Sequence, residues 1–409
     1  MNETRQVYLD NNATTRLRPE ALEAMMPHMT DQFGNPSSVH HLGRAVRAKI
    51  SSARDIIAHA IGADPSEIFF TSGGTESNNL AIKGHAWADR KASGSHIITS
   101  SIEHPAVLEV CKYLSKNGYE LTQVPVDADA IVDPEAVREA IKSNTTLVTI
   151  MHANNEVGTI QPVAEITKIA KESGITVHTD AVQTFMKTPV NVDELGIDLL
   201  SISAHKVNGP KGVGALYVRS GTKMHPLGHG GHQERGIRAG TENVAGIIGF
   251  AKSVEVGLAE MEKDRAHTKK LRDELERRIL AEIPHTKLNG HPEKRLPGTV
   301  NISFKCIEGE ALLINMDMSG MAISTGSACS SGSLDPSHVL MAMDIPHEII
   351  HGSLRFSFGH ENTMDDVDYV MSRLPKIITN LRNISPLWDP KELRVVSLEE
   401  AQSNAKVGH

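Results

Sequence analysis

Residues 175–219 read ITVHTDAVQTFMKTPVNVDELGIDLLSISAHKVNGPKGVGALYVR. Three runs within them, ITVHTD (175–180), DLLSISA (198–204) and GALYVR (214–219), are short, apolar and rich in strand-forming residues. Several carry apolar residues on both sides, the pattern of strands buried on both faces. The first run ends on Asp180, with Gln183 just beyond it. The second is followed by Lys206 ahead of a Gly/Pro turn. Functional loops of an open α/β sheet leave the carboxyl ends of its strands, so this stretch bears on fold and site at once.

The same rhythm runs upstream. EIFF (67–70), HIITS (96–100), ELTQVPV (120–126) and TTLVTIMHA (145–153) read as strands, and Pro105–Lys116, Pro134–Lys142 and Pro162–Glu172 as helices between them. The first two helices open on Pro at the first helical position, behind His104 and Asp133. Alternation of this kind predicts an α/β domain with a mainly parallel sheet. A long helical stretch from Thr241 to Ile283 then links to a different pattern: VNISF, a helix near Glu308–Met318, the loop TGSACSSGS, SLRFSF and a helix near Asp365–Asn383. That pattern predicts a smaller α+β domain. The polar tail after Trp388 is expected to be mobile, as termini commonly are.

Composition narrows the function classes. A chain of 409 residues predicts two or three domains. The net charge of −8 argues against a nucleic-acid protein, which would carry a basic surplus. The longest apolar runs, such as Ile247–Ala251, fall far short of the ~20 residues that span a bilayer, and MNETRQVYLDNN does not read as a secretory signal. Three cysteines, Cys111, Cys306 and Cys329, are too few and too scattered for a disulfide framework. The expectation is a soluble enzyme of a reducing compartment. Among the 21 histidines, neither HPLGHGGH nor His40–His41 has structural zinc spacing, so no tightly bound zinc is expected.

Three segments carry chemistry. FTSGGTESNN follows the strand at 67–70 and opens a helix. Its glycines let backbone amides approach an anion, and Thr75, Ser77 and Asn78 add polar contacts. It is neither a P-loop nor a dinucleotide fingerprint, and a capped turn explains it equally well. Asp180 could be a helix cap instead of a cleft residue, and Lys206 could sit on a surface turn. An anion cradle, a carboxylate and a lysine in that order are nevertheless what pyridoxal 5'-phosphate requires. The lysine amine holds the aldehyde, the carboxylate keeps the ring nitrogen protonated, and the helix terminus takes the phosphate.

The segments YLDNNATT (8–15), FGNPSS (33–38), TSGGTESNN (71–79), EHPAV (103–107), NNEVGT (154–159), HTDAVQ, SAHK, GPKG, GGHQERGIRAGTEN (230–243), GSACSSGSLDPSHVL (326–340) and LRFSFG resemble those of the cysteine desulfurases. These are class V aminotransferase relatives among the fold-type I pyridoxal-phosphate enzymes. HQERGIRAGTEN and ISPLWD look most like the nitrogen-fixation (NifS-like) branch, with the housekeeping (IscS-like) branch very close. The matches run from Tyr8 to about Trp388. The resemblance implies a large domain with a mainly parallel seven-stranded sheet over 16–260. A small α+β domain, built from 1–15 and 261–409, would carry the cysteine loop.

Roles are implied residue by residue. Lys206 would hold the cofactor, Asp180 would pair with its ring nitrogen, and Gln183 would bond its phenolic oxygen. His104 would stack on the ring and act as acid/base. Gly74, Thr75, Ser203 and His205 would bind the phosphate, with Thr241 supplied by a second subunit of a homodimer. Asn155 and Arg355 would receive the substrate, Asn155 also lying against the cofactor; an arginine fork suits an α-carboxylate. Cys329 would attack the sulfur of L-cysteine, becoming a persulfide and leaving alanine. It would then pass sulfur to an iron–sulfur scaffold, with nitrogenase maturation one destination, and could transiently ligate a nascent cluster. Its thiol must ionise to attack, while Cys111 and Cys306 fit small packed hydrophobes better. Here the segment reads STGSACSSGS where the family commonly has SSGSACTSGS, so Thr325 and Ser330 are conservative departures. A cytoplasmic location is expected. The alternatives are a selenocysteine lyase or another class V enzyme, and a non-catalytic sulfur-relay scaffold that kept the fold.

Overall fold

The computed structural model describes residues 5–89, 95–325 and 336–396. A short strand, β1 (Val7–Tyr8), precedes two helices, Pro19–Met29 and His41–Ile61. Seven strands then follow: β2 (Ile68–Thr71), β3 (Ser95–Ser100), β4 (Tyr119–Val124), β5 (Thr145–Thr149), β6 (Thr176–Asp180), β7 (Leu199–Ser203) and β8 (Gly214–Val218). They form one sheet in the order β2-β8-β7-β6-β5-β3-β4. All the pairs are parallel except those that β8 makes, antiparallel, with β2 and β7. The α/β class and the mainly parallel sheet expected from sequence are therefore present.

Alternation explains why both faces read as apolar. Phe69, Ile97, Leu147 and Leu199 point to one side, where they pack with Leu80, Ala81 and Ile82 of helix Gly74–Ala88 and with Val107, Val110 and Leu114 of helix Pro105–Lys116. Phe70, Ile98, Val148 and Leu200 point to the other. There they meet Val46, Ile50 and Ile57 of the second helix, Ile166 of helix Val163–Glu172, and Ile247 and Phe250 further on. Successive residues of a strand face opposite sides, so a sheet covered on both favours apolar residues at neighbouring positions, and the buried polar ones bond across strands, as His178 does with Thr149 and Ser201.

The 39-residue helix Val244–Glu282 joins two cores. At about 1.5 Å per residue it is roughly 58 Å long. Its first turns lie under the large sheet, and Leu271, Leu275 and Ile279 near its end pack in a second core. Strands β9 (Thr286–Asn289), β10 (Thr299–Phe304), β11 (Met321–Ala322) and β12 (Ser353–Ser357) belong to this part. An antiparallel sheet runs β12-β10-β9, and β1 returns to pair in parallel with β11. The helices Gly309–Met318 and Met364–Asn383 close the core with Leu312, Met316, Val367, Val370 and Leu374.

Several boundaries differ from the sequence reading. The run TTLVTIMHA is strand only to Thr149; beyond it Asn154 turns the chain by accepting the amides of Glu156 and Val157 on Oδ1. The helix expected over Pro134–Lys142 ends at Ala140. The part of the tail among the described residues, up to Val396, is packed and paired, where its polar composition led to the expectation of mobility. Trp388 lies under the Arg382 guanidinium, 4.8 Å from the ring centre, and Trp388–Asp389 pairs with Arg394–Val395. No helix among the described residues is long and apolar enough to cross a membrane.

Candidate active site

The carboxyl ends of β2, β3, β5, β6 and β7 converge on one cavity of about 200 Å³. Its walls include Gly74, Thr75, His104, Asn155, Asp180, Gln183, Ser203, His205 and Lys206, which come from five separate connections. Of the residues singled out in the sequence, Arg355 and Thr241 are not among its walls; Arg355 bonds the carbonyl of the wall residue Asn155, and Thr241 is exposed. Cys329 lies outside the described residues.

One end of the cavity is an anion cradle. Helix Gly74–Ala88 starts there, and the amides of a helix's first turn have no partners within the helix. Gly73 takes φ 148°, a region that excludes larger residues, and a Cβ placed on it would stand 3.8 Å from the Ser203 hydroxyl. Ser203 is itself buried, and its Oγ has no partner among the described residues. A buried hydroxyl left unmatched is costly unless something meets it. His205 stands alongside, with Nδ1 3.2 Å from the Thr14 hydroxyl. Burial, reinforced by Lys206, Lys211 and Lys187, pushes its imidazole down to about 4, so at neutral pH it is an uncharged donor or acceptor.

The middle of the cavity holds a buried carboxylate. Asp180 Oδ2 accepts from Asn78 Nδ2 at 2.6 Å, and Oδ1 accepts the Val182 amide at 3.0 Å. Asn78, one helical turn beyond Gly74, thus orients the carboxylate. The sequence reading had it as a polar contact of the helix start, without this partner. Its spacing from Gly74 was the available signal, since residues four apart share a helix face.

His104 caps helix Pro105–Lys116. Its Nδ1 accepts the Ala106 amide at 3.1 Å, which leaves the proton of the neutral ring on Nε2. Burial holds it below the ordinary histidine value; Asp180 opposes that shift, and Lys206 and His338 add to it. Behind His104, Glu103 is fully buried. Its Oε1 accepts from the Ser100 hydroxyl at 2.6 Å and the Met151 amide at 2.8 Å, while Oε2 has no partner among the described residues. Burial pushes this carboxyl up to about 8, against those two hydrogen bonds.

Lys206 Nζ donates to the carbonyls of Asn12 and Ala13 at 2.6 and 2.7 Å. Asn12 is a hub that the sequence motif YLDNNATT contained but did not explain. Its amide N–H meets the Ser357 hydroxyl, its Nδ2 meets Asn155 O and Thr299 Oγ1, and its carbonyl also accepts from Gln183 Nε2. Arg355 is buried in β12, donating from Nη1 to Asn155 O at 2.9 Å and from Nη2 to Asp10 Oδ1 at 2.6 Å. Its Nε has no partner among the described residues. The residues that flank the undescribed segment 326–335 reach the same place: the Ser324 carbonyl accepts the Arg355 amide, and Ser337 Oγ donates to Glu156 Oε2 at 2.5 Å.

The other two cysteines are packed. Cys111 is fully buried, and burial pushes its thiol up to about 12, with Glu103 adding to the shift. Cys306 is buried with its thiol directed at the Leu387 carbonyl, and burial raises it also. Neither is a nucleophile in this setting. Among the described residues no three His, Cys, Asp or Glu side chains converge as metal ligands would.

Residues 7–370 match the model of the family described as aminotransferase class-V. The chain is 56% identical over 382 residues to the cysteine desulfurase IscS of Dictyoglomus turgidum, a match covering 93% of this chain and 97% of the relative. It is 55% identical to the cysteine desulfurase IscS of Methanosarcina thermophila, over 96% and 97%. Among solved structures, a NifS-like protein superposes with a TM-score of 0.87 at 41% identity, covering 92% of this chain and 100% of that one. A NifS-like protein from Rickettsia africae gives 0.82 at 34% identity, over 91% and 99%.

Enzymes of this kind depend on pyridoxal 5'-phosphate, and the cavity fits it. The amides at the helix start and the unmatched Ser203 hydroxyl suit a phosphate, the Asn78-held carboxylate suits a protonated ring nitrogen, and a lysine amine is within the same walls. The chain belongs to the aminotransferase class-V family and, within it, to the cysteine desulfurases.

Proposed function

We propose that the enzyme converts L-cysteine to L-alanine by moving the substrate sulfur onto Cys329, and that the resulting persulfide feeds iron–sulfur cluster assembly. The observation that carries the site assignment is the convergence of Lys206, Asp180, His104 and Ser203 on one cavity. Lys206 would hold the cofactor through its amine, Asp180 would face the ring nitrogen, and Gln183 would face the phenolic oxygen. Gly74, Thr75, Ser203 and His205 would take the phosphate, with Thr241 of a second copy completing it, so the working unit would be a homodimer. Bound pyridoxal 5'-phosphate supplies an electron sink next to the substrate α-carbon.

The chain's own residues do the rest. Arg355, tied to the Asn155 carbonyl, would clamp the substrate carboxylate, and Asn155 would close on it from the cavity wall. His104, uncharged and with its proton on Nε2, would stack on the ring and move a proton on the cavity side. The Cys329 thiolate would attack the substrate sulfur. The carbon–sulfur bond breaks as the sulfur–sulfur bond forms, the β-carbon is reduced, and the proton lost by the thiol is balanced by one gained at that carbon. Free cysteine and thiol thus become alanine and persulfide with atoms conserved. Ser324 and Ser337, held beside Arg355 and Glu156, support this reading by bringing both flanks of the Cys329 segment to the substrate end.

Downstream, an iron–sulfur scaffold would accept the sulfur in the cytoplasm, Cys329 could briefly ligate the nascent cluster, and nitrogenase maturation would be one destination. The test is Cys329→Ala. This variant should keep the cofactor and its yellow colour, lose sulfide release from L-cysteine, and show no added 32-dalton mass on the chain. Full sulfide release from Cys329→Ala would overturn the persulfide step and favour a lyase, which L-selenocysteine run in parallel would identify.

A further inference from the structure

Four residues beyond Gln183, Lys187 places its amine between two side-chain amides. Nζ lies 3.0 Å from Gln183 Oε1 and 3.1 Å from Asn12 Oδ1. The residue lines a second, smaller cavity of about 70 Å³ behind Lys206, bordered also by Asn208, Thr268 and His360. Enclosure pushes the amine down to about 7, and Lys206 and Arg355 add to the shift. A lysine confined this way, next to two further cations, needs a compensating role.

The chemistry of the contacts supplies one. An ammonium has donors and no acceptor, and an amine still has two N–H groups, so in either state Lys187 can donate to two oxygens. The ammonium form, which accepts nothing, makes each amide turn its oxygen toward Lys187 and its nitrogen away. For Asn12 the nitrogen then reaches Asn155 O and Thr299 Oγ1; for Gln183 it reaches the Asn12 carbonyl at 2.9 Å and keeps a second N–H for the active-site cavity that Gln183 lines.

We propose that Lys187 is a positioning residue for Gln183, fixing the amide so that an N–H, and not the carbonyl, faces the phenolic oxygen of bound pyridoxal phosphate. This rests on the reading above that Gln183 meets that oxygen. Without Lys187 the amide keeps its bond to the Asn12 carbonyl but loses the anchor on its oxygen, so the N–H aimed at the phenolate is held less firmly. A donor to the phenolate favours the charged oxygen and weakens its hold on the neighbouring proton, so losing the donor raises the pH at which the cofactor's visible band converts.

The experiment is a double-mutant cycle on the holoenzyme, reading the pH midpoint of the visible band and the cofactor dissociation constant. Gln183→Ala should raise the midpoint by about one pH unit, the scale of one charge-assisted hydrogen bond, and Lys187→Met by a smaller, measurable part of that. The double variant should move no further than Gln183→Ala, because Lys187 acts through that amide. Lys187→Arg, which keeps the donors, should return most of the shift. If Lys187→Met does not fold, Lys187→Ala is read in its place. A wild-type midpoint in Lys187→Met overturns the proposal. So does a shift that persists in the Gln183→Ala background, since Lys187 would then act only as a distant charge. An unmoved midpoint in Gln183→Ala would instead remove the Gln183 reading, and the proposal with it.

Discussion

The two sheets solve opposite problems. The seven-stranded sheet packs apolar side chains on both faces, and its chemistry stands at the carboxyl ends of its strands, on the last residues Asp180 and Ser203 and in the loops beyond. The three-stranded sheet splits its faces. Val300, Ile302, Phe304, Leu354 and Phe356 enter the second core, while Thr299, Asn301, Ser303, Arg355 and Ser357 alternate with them on a face that is polar yet buried. What covers that polar face is the loop edge of the large sheet. Asn12 meets Thr299 and Ser357, the Glu156 carbonyl accepts from Asn301, and the Asn155 carbonyl accepts from Arg355. A residue in the middle of a strand, Arg355, is therefore brought beside a site built from strand ends and loops. The small sheet contributes by its face and the large one by its edge.

Breaking each contribution separately sharpens the contrast. Asp180→Asn, at the edge of the large sheet, keeps the shape and removes the charge; desulfuration kcat should fall roughly 10²–10³-fold, the scale of one preorganised electrostatic partner. Steady-state kinetics at saturating L-cysteine and cofactor measures it, and an unchanged kcat would take Asp180 out of the chemistry. Arg355→Lys, on the face of the small sheet, keeps the charge and loses the fork that spans Asn155 O and Asp10. A point charge on a flexible stem cannot hold a carboxylate bidentately. kcat/KM for L-cysteine should drop about 10–100-fold, carried by KM, as expected from losing one hydrogen bond to a charged group. A loss carried by kcat alone would place Arg355 at the reacting atoms instead.

The sheets were also unequally legible. The strands of the large sheet stood out because most are buried on both faces and carry apolar residues at neighbouring positions, and the connections after β2, β3, β6 and β7 held chemically distinctive residues. The alternation in TVNISF and SLRFS was legible as strand, but such a pattern ordinarily means one face in water. Nothing local says that Asn301 and Arg355 face another part of the protein. Asn12, Asp10 and Lys187 escaped for the same reason: their roles are hydrogen bonds between residues far apart in the chain, apart from the four-residue step from Gln183 to Lys187. Glu103 was read only as the residue before His104, since burial of a carboxyl is a property of the fold. Trp388 was placed at the end of order because its cover, Arg382 and His285, lies elsewhere in sequence.

Glu103 gives the smallest effect and the finest test of what an active edge costs. Its carboxyl titrates near 4.5 ordinarily and about 8 when folded. Between those values the folded chain keeps a proton that the unfolded chain has released, so this contribution to stability is complete below pH 4.5 and lost as pH rises toward 8. Glu156, pushed up to about 7 by burial, acts the same way over a narrower window. The buried histidines act oppositely: His152, His178 and His205, pushed down to about 4, 3 and 4, contribute stability above pH 6.5 that is lost as the pH falls. Between pH 7 and 8 the histidines are nearly silent and Glu156 completes its titration, so Glu103 makes the larger contribution of the two carboxyls. Glu103→Gln stays neutral throughout and can accept the Ser100 and Met151 hydrogens in the same place. The variant should therefore lose the larger part of the downward slope of stability across that interval, which for one proton is at most about 1.4 kcal/mol per pH unit. Denaturant unfolding of wild type and variant holoenzyme at pH 7 and pH 8 measures the difference, and parallel pH dependence in the two would show that Glu103 is ionised in the folded protein.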